Sequence, residues 1–288
     1  MPVVNDYTAI LSGDSIHATF GRGAFYTFSF ATGVPSYLTG EYSAEALATF
    51  REFTAAEKAA ARAALELFAS NSGLTFLEVT GSDADMVFGA YDLALMSPGA
   101  AGFAYYPNGT WESPIASDVF LDLDYAGNTH VLLHEIGHAI GLKHTFEGTT
   151  VLDPALDNYA NSVMSYTSGG HAGTSLGPLD LQAIHYLYGN SSADGDHVAS
   201  WSWNAATYTL SQTGFASAET IEGVGGADII NAMGGNDTVH GHAGNDVIDG
   251  GAGDDTIYSG RGSTRALGGE GNDFLQGNGR ASSLFGGN

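Results

Sequence analysis

Apolar and polar positions alternate through Tyr26-Thr27-Phe28-Ser29-Phe30, and an aromatic run with a period of two predicts a strand. Residues 74–79 (Leu-Thr-Phe-Leu-Glu-Val) and 85–88 (Asp-Met-Val-Phe) predict two more, and Phe103-Ala104-Tyr105-Tyr106 another. Residues 119–123 mix apolar with acidic positions and predict a strand with one wet face. Asp118, Asp122 and Asp124 are read as part of that solvated face, with calcium binding as the rival reading. Thr54-Ala55-Ala56-Glu57 has capping-box spacing, in which each side chain satisfies a first-turn amide. The alanine-rich run behind it, with Leu65, Leu67 and Phe68, predicts a helix that exits at Gly73. Pro178-Leu179-Asp180 opens a last helix through Tyr188, with proline where no amide is needed and Gly189 as the stop. Residues 1–23 carry few signals.

From Gly223 the pattern changes to a period of nine, with units starting at Gly223, Ala232, Gly241, Gly250, Ser259, Gly268 and Gly277 and a fragment from Gly286. Each unit joins a six-residue glycine/aspartate turn to a three-residue strand, centred on Ile230, Val239, Ile248, Ile257, Leu275 or Leu284 where that residue is apolar. That is the calcium-binding nonapeptide repeat of a parallel β-roll. A flexible glycine-rich linker is the rival reading, and the strict period argues against it. Two units make one coil, so turns on one side stand eighteen residues apart. One side stacks Asp237, Asp255 and Asp273. The other stacks Asp228 and Asp246, then meets Thr264 and Ser282. Calcium, a hard cation, suits aspartates and backbone carbonyls between stacked turns. Occupied sites are expected on the first side, and loss of calcium toward the C-terminus on the second.

Composition narrows the chemistry. The 288 residues contain no cysteine, so a transition metal must rest on histidine and carboxylate. A formal charge of -24 argues against nucleic acid or an anionic membrane as partner and favours cations. No run approaches the length of a membrane span. Residues 1–10 show no basic region followed by an apolar run, so no Sec-type signal peptide is expected.

Between the predicted strands and the repeats lies His134-Glu135-Ile136-Gly137-His138-Ala139-Ile140-Gly141-Leu142-Lys143-His144. Histidines four apart share a helix face, so both rings can reach one ion. Gly141 enters the left-handed conformation without steric cost and can reverse the chain. His144 then returns as a third ligand, and three imidazoles with an open position describe a catalytic zinc site. Glu135, beside the first ligand, can reach a water on the ion. Asn128 or Thr129 caps the helix. His130 is a rival ligand on spacing alone; with three ligands already supplied, it is read as a first-turn residue that supports the others.

The frame from His134 to His144 resembles the HExxHxxGxxH motif of the metzincins. With Ser162-Val163-Met164-Ser165-Tyr166 and the nonapeptide repeats, the chain is similar to the serralysins, secreted bacterial metalloendopeptidases. The resemblance implies an α+β metzincin-type peptidase domain over residues 1–190, with a mixed twisted sheet and a long active-site helix. A connector over 191–222 and an all-β parallel roll of RTX repeats over 223–288 would follow. It implies one catalytic Zn2+ on His134, His138 and His144, several structural Ca2+ ions on Asp228, Asp237, Asp246, Asp255 and Asp273, and Met164 as the methionine turn beneath the zinc. Tyr166 is implied as a displaceable zinc ligand that could also bond the oxyanion, with Glu135 as general base. Protein or peptide substrates are the implied partners, with a proteinaceous inhibitor as a further candidate. A monomer is expected, secreted to the extracellular space by a type I ABC route. The segment after His144 lacks the family's usual Pro-Gly-Asp-Tyr-like continuation, so the cleft floor is expected to differ. The sequence begins almost at the peptidase domain and stops within a repeat at Asn288, which reads as a short member or an incomplete C-terminus. A calcium-dependent binding module with a vestigial zinc domain is the reading from another class, and the intact Glu135 argues against it.

Overall fold

A computed structural model describes residues 1–15, 20–81, 84–107, 117–191, 198–277 and 282–287. Five strands form the first sheet, in the order Leu74–Glu78, Ala24–Phe30, Met86–Tyr91, Val119–Asp122, Gly102–Ala104. All neighbours run parallel except the last pair. Every residue of Ala24–Phe30 is buried, because both faces of this sheet are covered. Tyr26, Phe28, Phe30 and Phe88 share one core with Leu65 and Phe68 of helix Ala55–Ala69 and with Leu132 and Ile136 of helix Thr129–Ala139. Each such side chain contributes about 1.5–3 kcal/mol by leaving water. Tyr91 and Phe120 face the other way, onto Leu38 and Leu93.

The capping box is formed: the Thr54 hydroxyl accepts from the Glu57 amide at 3.3 Å, and the Glu57 carboxylate accepts from the Thr54 amide at 2.6 Å. The last helix spans Pro178–Tyr188, with Gly189 at φ +72°. Strand Met86–Tyr91 runs three residues past the predicted 85–88, and Gly102–Ala104 is shorter than the predicted 103–106.

The wet face expected over 119–123 does not exist. Val119 and Leu121 enter the first core and Phe120 the second. Asp118 is 1% exposed and accepts from the Tyr37 hydroxyl at 2.7 Å and the Val87 amide at 2.9 Å. Burial pushes its carboxyl up to about 8. Asp122 accepts from the amides of Leu93 and Asp124. The strand sits inside the sheet, so Asp118 and Asp122 serve as hydrogen-bond acceptors, whereas Asp124, just beyond the strand, is exposed as the solvated reading expected.

Beyond helix Pro178–Tyr188 the chain is β-rich. One sheet carries Thr209–Thr213, Ala227–Asn231, Val247–Ala252, Arg265–Glu270 and Ser283–Phe285 in parallel, with Ser200–Asn204 antiparallel at its edge. The other carries Thr220–Glu222, Thr238–His240, Thr256–Tyr258 and Phe274–Gln276. Register steps by eighteen residues: Ile230 pairs with Ile248, then Ala266 and Leu284, while Val239 pairs with Ile257 and Leu275. Ile221, Ile230, Val239, Ile248, Ile257 and Ala266 are buried together between the sheets. Leu275 is half-buried and Leu284 is 37% exposed, so the core thins toward the last repeats. Gly253, at φ +136°, lies where a Cβ would run into the Gly235 carbonyl; stacked turns approach too closely for any side chain. Strands 209–213 and 220–222, in the segment read as connector, already stand in the repeat register. Residues 278–281 of the unit opened by Gly277, and Asn288, lie outside the described residues.

An apolar seam of Phe25, Leu77, Leu210 and Val224, with Trp201 edge-on to Phe25 at 4.8 Å, joins the first sheet to the repeats. Among the described residues no helix is long and apolar enough to cross a membrane.

Candidate metal centre

Helix Thr129–Ala139 opens with the Asn128 carboxamide accepting from the Val131 amide at 3.1 Å. His134 and His138 lie one turn apart with ring centroids 4.8 Å from each other. The helix closes at Ile140, whose carbonyl accepts from the buried Tyr188 hydroxyl at 2.6 Å. Gly141 then adopts φ +100°, and a Cβ there would collide with the Asp14 carbonyl oxygen. Gly141→Ala is therefore expected to destabilise the protein by at least about 2 kcal/mol, from left-handed strain and backbone displacement. It should also weaken zinc binding, because the reversal returns His144; thermal melting with a zinc assay checks both.

His144 Nε2 stands 3.1 Å from the Nε2 of His134 and 3.1 Å from that of His138. His134 Nδ1 donates to the Val163 carbonyl at 2.8 Å and His138 Nδ1 to the Leu142 carbonyl at 2.7 Å. A carbonyl only accepts, so each Nδ1 carries the proton and each Nε2 turns a bare lone pair toward the same point. Lone pairs facing one another repel unless a cation lies between them. Tetrahedral zinc at its usual Zn–N distance asks for nitrogens roughly 3.3 Å apart. The residues fit the ion. Burial keeps both helix imidazoles neutral, with His138 held down to about 4. Among the described residues, His134, His138 and His144 form the one cluster with metal-ligand spacing.

Glu135 is 4% exposed, and burial pushes its carboxyl up to about 8. Its Oε2 has no hydrogen-bond partner. The edge strand passes so close that a Cβ on Gly102 would lie 2.7 Å from Glu135 Cγ. Met164 is fully buried beneath the helix, its sulfur filling the space a Cβ on Gly137 would take. Tyr166 is 64% exposed at the mouth, its hydroxyl 3.0 Å from His144 Nε2. His130 stays out of the cluster: its Nδ1 faces the Gly173 carbonyl at 3.2 Å and its ring packs, tilted, against Tyr159 at 4.0 Å.

Three neighbours escaped sequence reasoning. Asp180, fully buried, accepts from the Ser162 hydroxyl at 2.6 Å and from the amides of Val163 and Gly177 at 2.9 and 2.8 Å, holding the chain just before Met164. Glu147 Oε2 lies 2.8 Å from His144 Nδ1. Phe146 stacks flat on the His144 ring at 5.1 Å and meets Tyr166 at 5.0 Å. The only signal in the sequence was the unusual Thr145-Phe146-Glu147-Gly148 continuation.

In the repeats, Asp237 and Asp255 donate their amides to the carboxylates of Asp255 and Asp273, eighteen residues on. Asp237, Asp255 and Asp273 each keep an Oδ2 buried without a partner. On the opposite side the Asp228 amide donates to Asp246, and Asp228 Oδ1 is unpaired. Asp246 Oδ2 instead accepts from the Thr264 hydroxyl at 3.1 Å. Burial raises the carboxyls of Asp228, Asp237 and Asp255, and that of Asp246 to about 7, a cost that a bound cation would offset.

The model for the RTX calcium-binding nonapeptide repeat matches residues 213–248, 233–265 and 267–288. The metalloprotease AprA of Pseudomonas entomophila is 30% identical over 227 residues, 66% of this chain and 45% of that protein. The metallopeptidase AprA of Pseudomonas marginalis is 32% identical over 222 residues, 65% of this chain and 45% of its own. The serralysin of Photorhabdus laumondii is 32% identical over 171 residues, 50% and 35% of the two chains. The chain therefore spans less than half the length of the curated relatives it matches. In sequence, the chain is similar to the serralysin and AprA metalloproteases and carries RTX calcium-binding nonapeptide repeats.

Proposed function

We propose that the chain is a secreted zinc-dependent endopeptidase, a metzincin-type peptidase domain over 1–190 joined through 191–222 to a calcium-filled β-roll over 223–288. The observation that carries this is the convergence of three Nε2 lone pairs beside a buried carboxylate with a free oxygen. His134, His138 and His144 would hold the ion. When bound, zinc supplies Lewis acidity toward a scissile carbonyl and lets nearby water ionise close to neutral pH. Glu135 accepts the proton of the attacking water and returns it to the amine nitrogen as the C–N bond breaks and the new C–O bond forms. Tyr166 sits at the mouth, where its hydroxyl can donate to the oxyanion. Substrates would be extended protein segments. The partnerless aspartate oxygens of the repeats fit a calcium-rich, extracellular setting, to which a type I route would export the chain.

Casein cleavage by the full chain in calcium, stopped by a zinc chelator and restored by zinc, tests the reading; casein left intact by zinc-loaded protein would remove it. Tyr166→Phe is expected to retain zinc and lose about 10²–10³-fold in turnover, as loss of one oxyanion donor typically does. Wild-type turnover in that variant would remove the role.

A further inference from the structure

Lys143 precedes the third histidine and points away from the metal centre, into the backbone. Its ammonium donates to three carbonyls: Ala9 in the N-terminal turn Tyr7–Ile10, Glu147 at 2.6 Å and Thr150 at 2.9 Å. Those are all the protons an ammonium has to give. Its own backbone amide donates to the Ile10 carbonyl at 2.8 Å. The chain wraps the lysine stem at Gly148, φ +81°, where a Cβ would sit 3.0 Å from Lys143 Cε. Just beyond, Val151–Leu152 pairs in parallel with Val3–Val4, so the N-terminal segment closes the loop from outside.

The loop held in this way carries the carboxylate that stands behind the third ligand. With the Glu147 carbonyl on the ammonium, the Glu147 side chain returns to place Oε2 2.8 Å from His144 Nδ1. His134 and His138 have their Nδ1 atoms held by hydrogen bonds to backbone carbonyls, whereas the buried His144 Nδ1 makes no hydrogen bond and has only this carboxylate beside it, as an ion-pair contact from a loop. The third ligand thus depends on whatever orders residues 144–150.

We propose that Lys143 is a positioning residue of the metal centre: its ammonium orders the 144–150 loop so that Glu147 backs His144 and keeps His144 Nε2 turned toward the other two histidines. This rests on the metal-ligand part of the proposed function and not on proteolysis. A carboxylate behind a histidine ligand fixes its tautomer and raises its basicity, and losing such a partner typically weakens metal binding about 10–100-fold.

The test measures zinc transfer to a chromogenic chelator from the calcium-loaded full chain, well below melting. Wild type is compared with Lys143→Met, Glu147→Gln, the double variant, and Phe68→Leu as a destabilised control in the first core. Lys143→Met and Glu147→Gln are each expected to weaken zinc about 10–100-fold. The double variant should be no weaker than the worse single one, because both act through one contact. Phe68→Leu should release zinc as wild type does. Zinc retention by Lys143→Met equal to wild type would overturn the proposal, as would single effects that multiply in the double variant. Should Lys143→Met not fold, Glu147→Gln alone decides: wild-type release from it overturns the proposal. Wild type that holds zinc and cleaves no casein would remove the peptidase reading and leave this one standing. Wild type that binds no zinc would overturn both.

Discussion

Glu135→Gln is expected to bind zinc as wild type does and to cleave casein about 10²–10⁴-fold more slowly, the range over which a general base contributes. Glutamine keeps the volume and removes the one property the reaction needs, a lone pair able to take a proton. The fold should tolerate it. The carboxylate lies against the edge strand with an unpaired oxygen, and burial already disfavours its charge, so the amide introduces no new buried ion. None of the three histidines bonds to it; Val163 and Leu142 accept from two of them, and the Glu147 carboxylate stands beside the third. The measurement is casein cleavage beside zinc content for the two proteins. Equal cleavage would remove Glu135 from the reaction.

Removing calcium should have the largest effect on structure. Asp228, Asp237, Asp255 and Asp273 each hold a carboxylate oxygen that is buried and without a partner. An unpaired buried acceptor costs about 1–3 kcal/mol, more when charged. Among the described residues the core between the repeat sheets is a small set of aliphatic side chains, with Ala232 and Ala266 among them and Trp201 packed against it, and offers little to offset several such groups. In chelator the strands from Thr209–Thr213 to Ser283–Phe285 are expected to lose their circular-dichroism signal and to regain it at millimolar calcium, the range of extracellular modules. The two sides should differ. Asp255→Ala should remove more bound calcium than Asp246→Ala, because the inward oxygen of Asp246 is already taken by the Thr264 hydroxyl. Thr264→Asp should add about one ion by extending the aspartate stack. Calorimetric titration reads all three; equal losses from Asp255→Ala and Asp246→Ala would contradict the asymmetry.

Some elements were legible because their signals are local. A capping box needs four residues, and Thr54 with Glu57 forms one. Pro178 and Gly189 bracket a helix for reasons contained in their own backbones. The error over 119–123 has the opposite origin. Alternation along one strand cannot reveal that a second layer covers its other face, and Asp118 is buried by Tyr37, eighty-one residues away. Asp180 likewise looked like a helix-start acid, whereas its carboxylate reaches back to hold Ser162 and Val163.

The sequence by itself determined which chemistry was present: the four-residue spacing of His134 and His138, a glycine able to reverse the chain before His144, and a nine-residue period placing aspartates eighteen apart. Those features follow from helix pitch, glycine sterics and a repeat, all of which operate over a few residues. Tertiary structure alone decided how the groups are held. It supplied the Val163 and Leu142 carbonyls that turn two imidazoles toward a common point, the Thr264 hydroxyl that occupies Asp246, and the Lys143 ammonium that joins Ala9 to the loop of the third histidine. All but the Thr264 contact are hydrogen bonds to backbone groups, and Thr264, though it stands at the eighteen-residue spacing, carries no mark in the sequence of where its hydroxyl points. A carbonyl belongs to every residue, so nothing in a sequence marks the one that will accept.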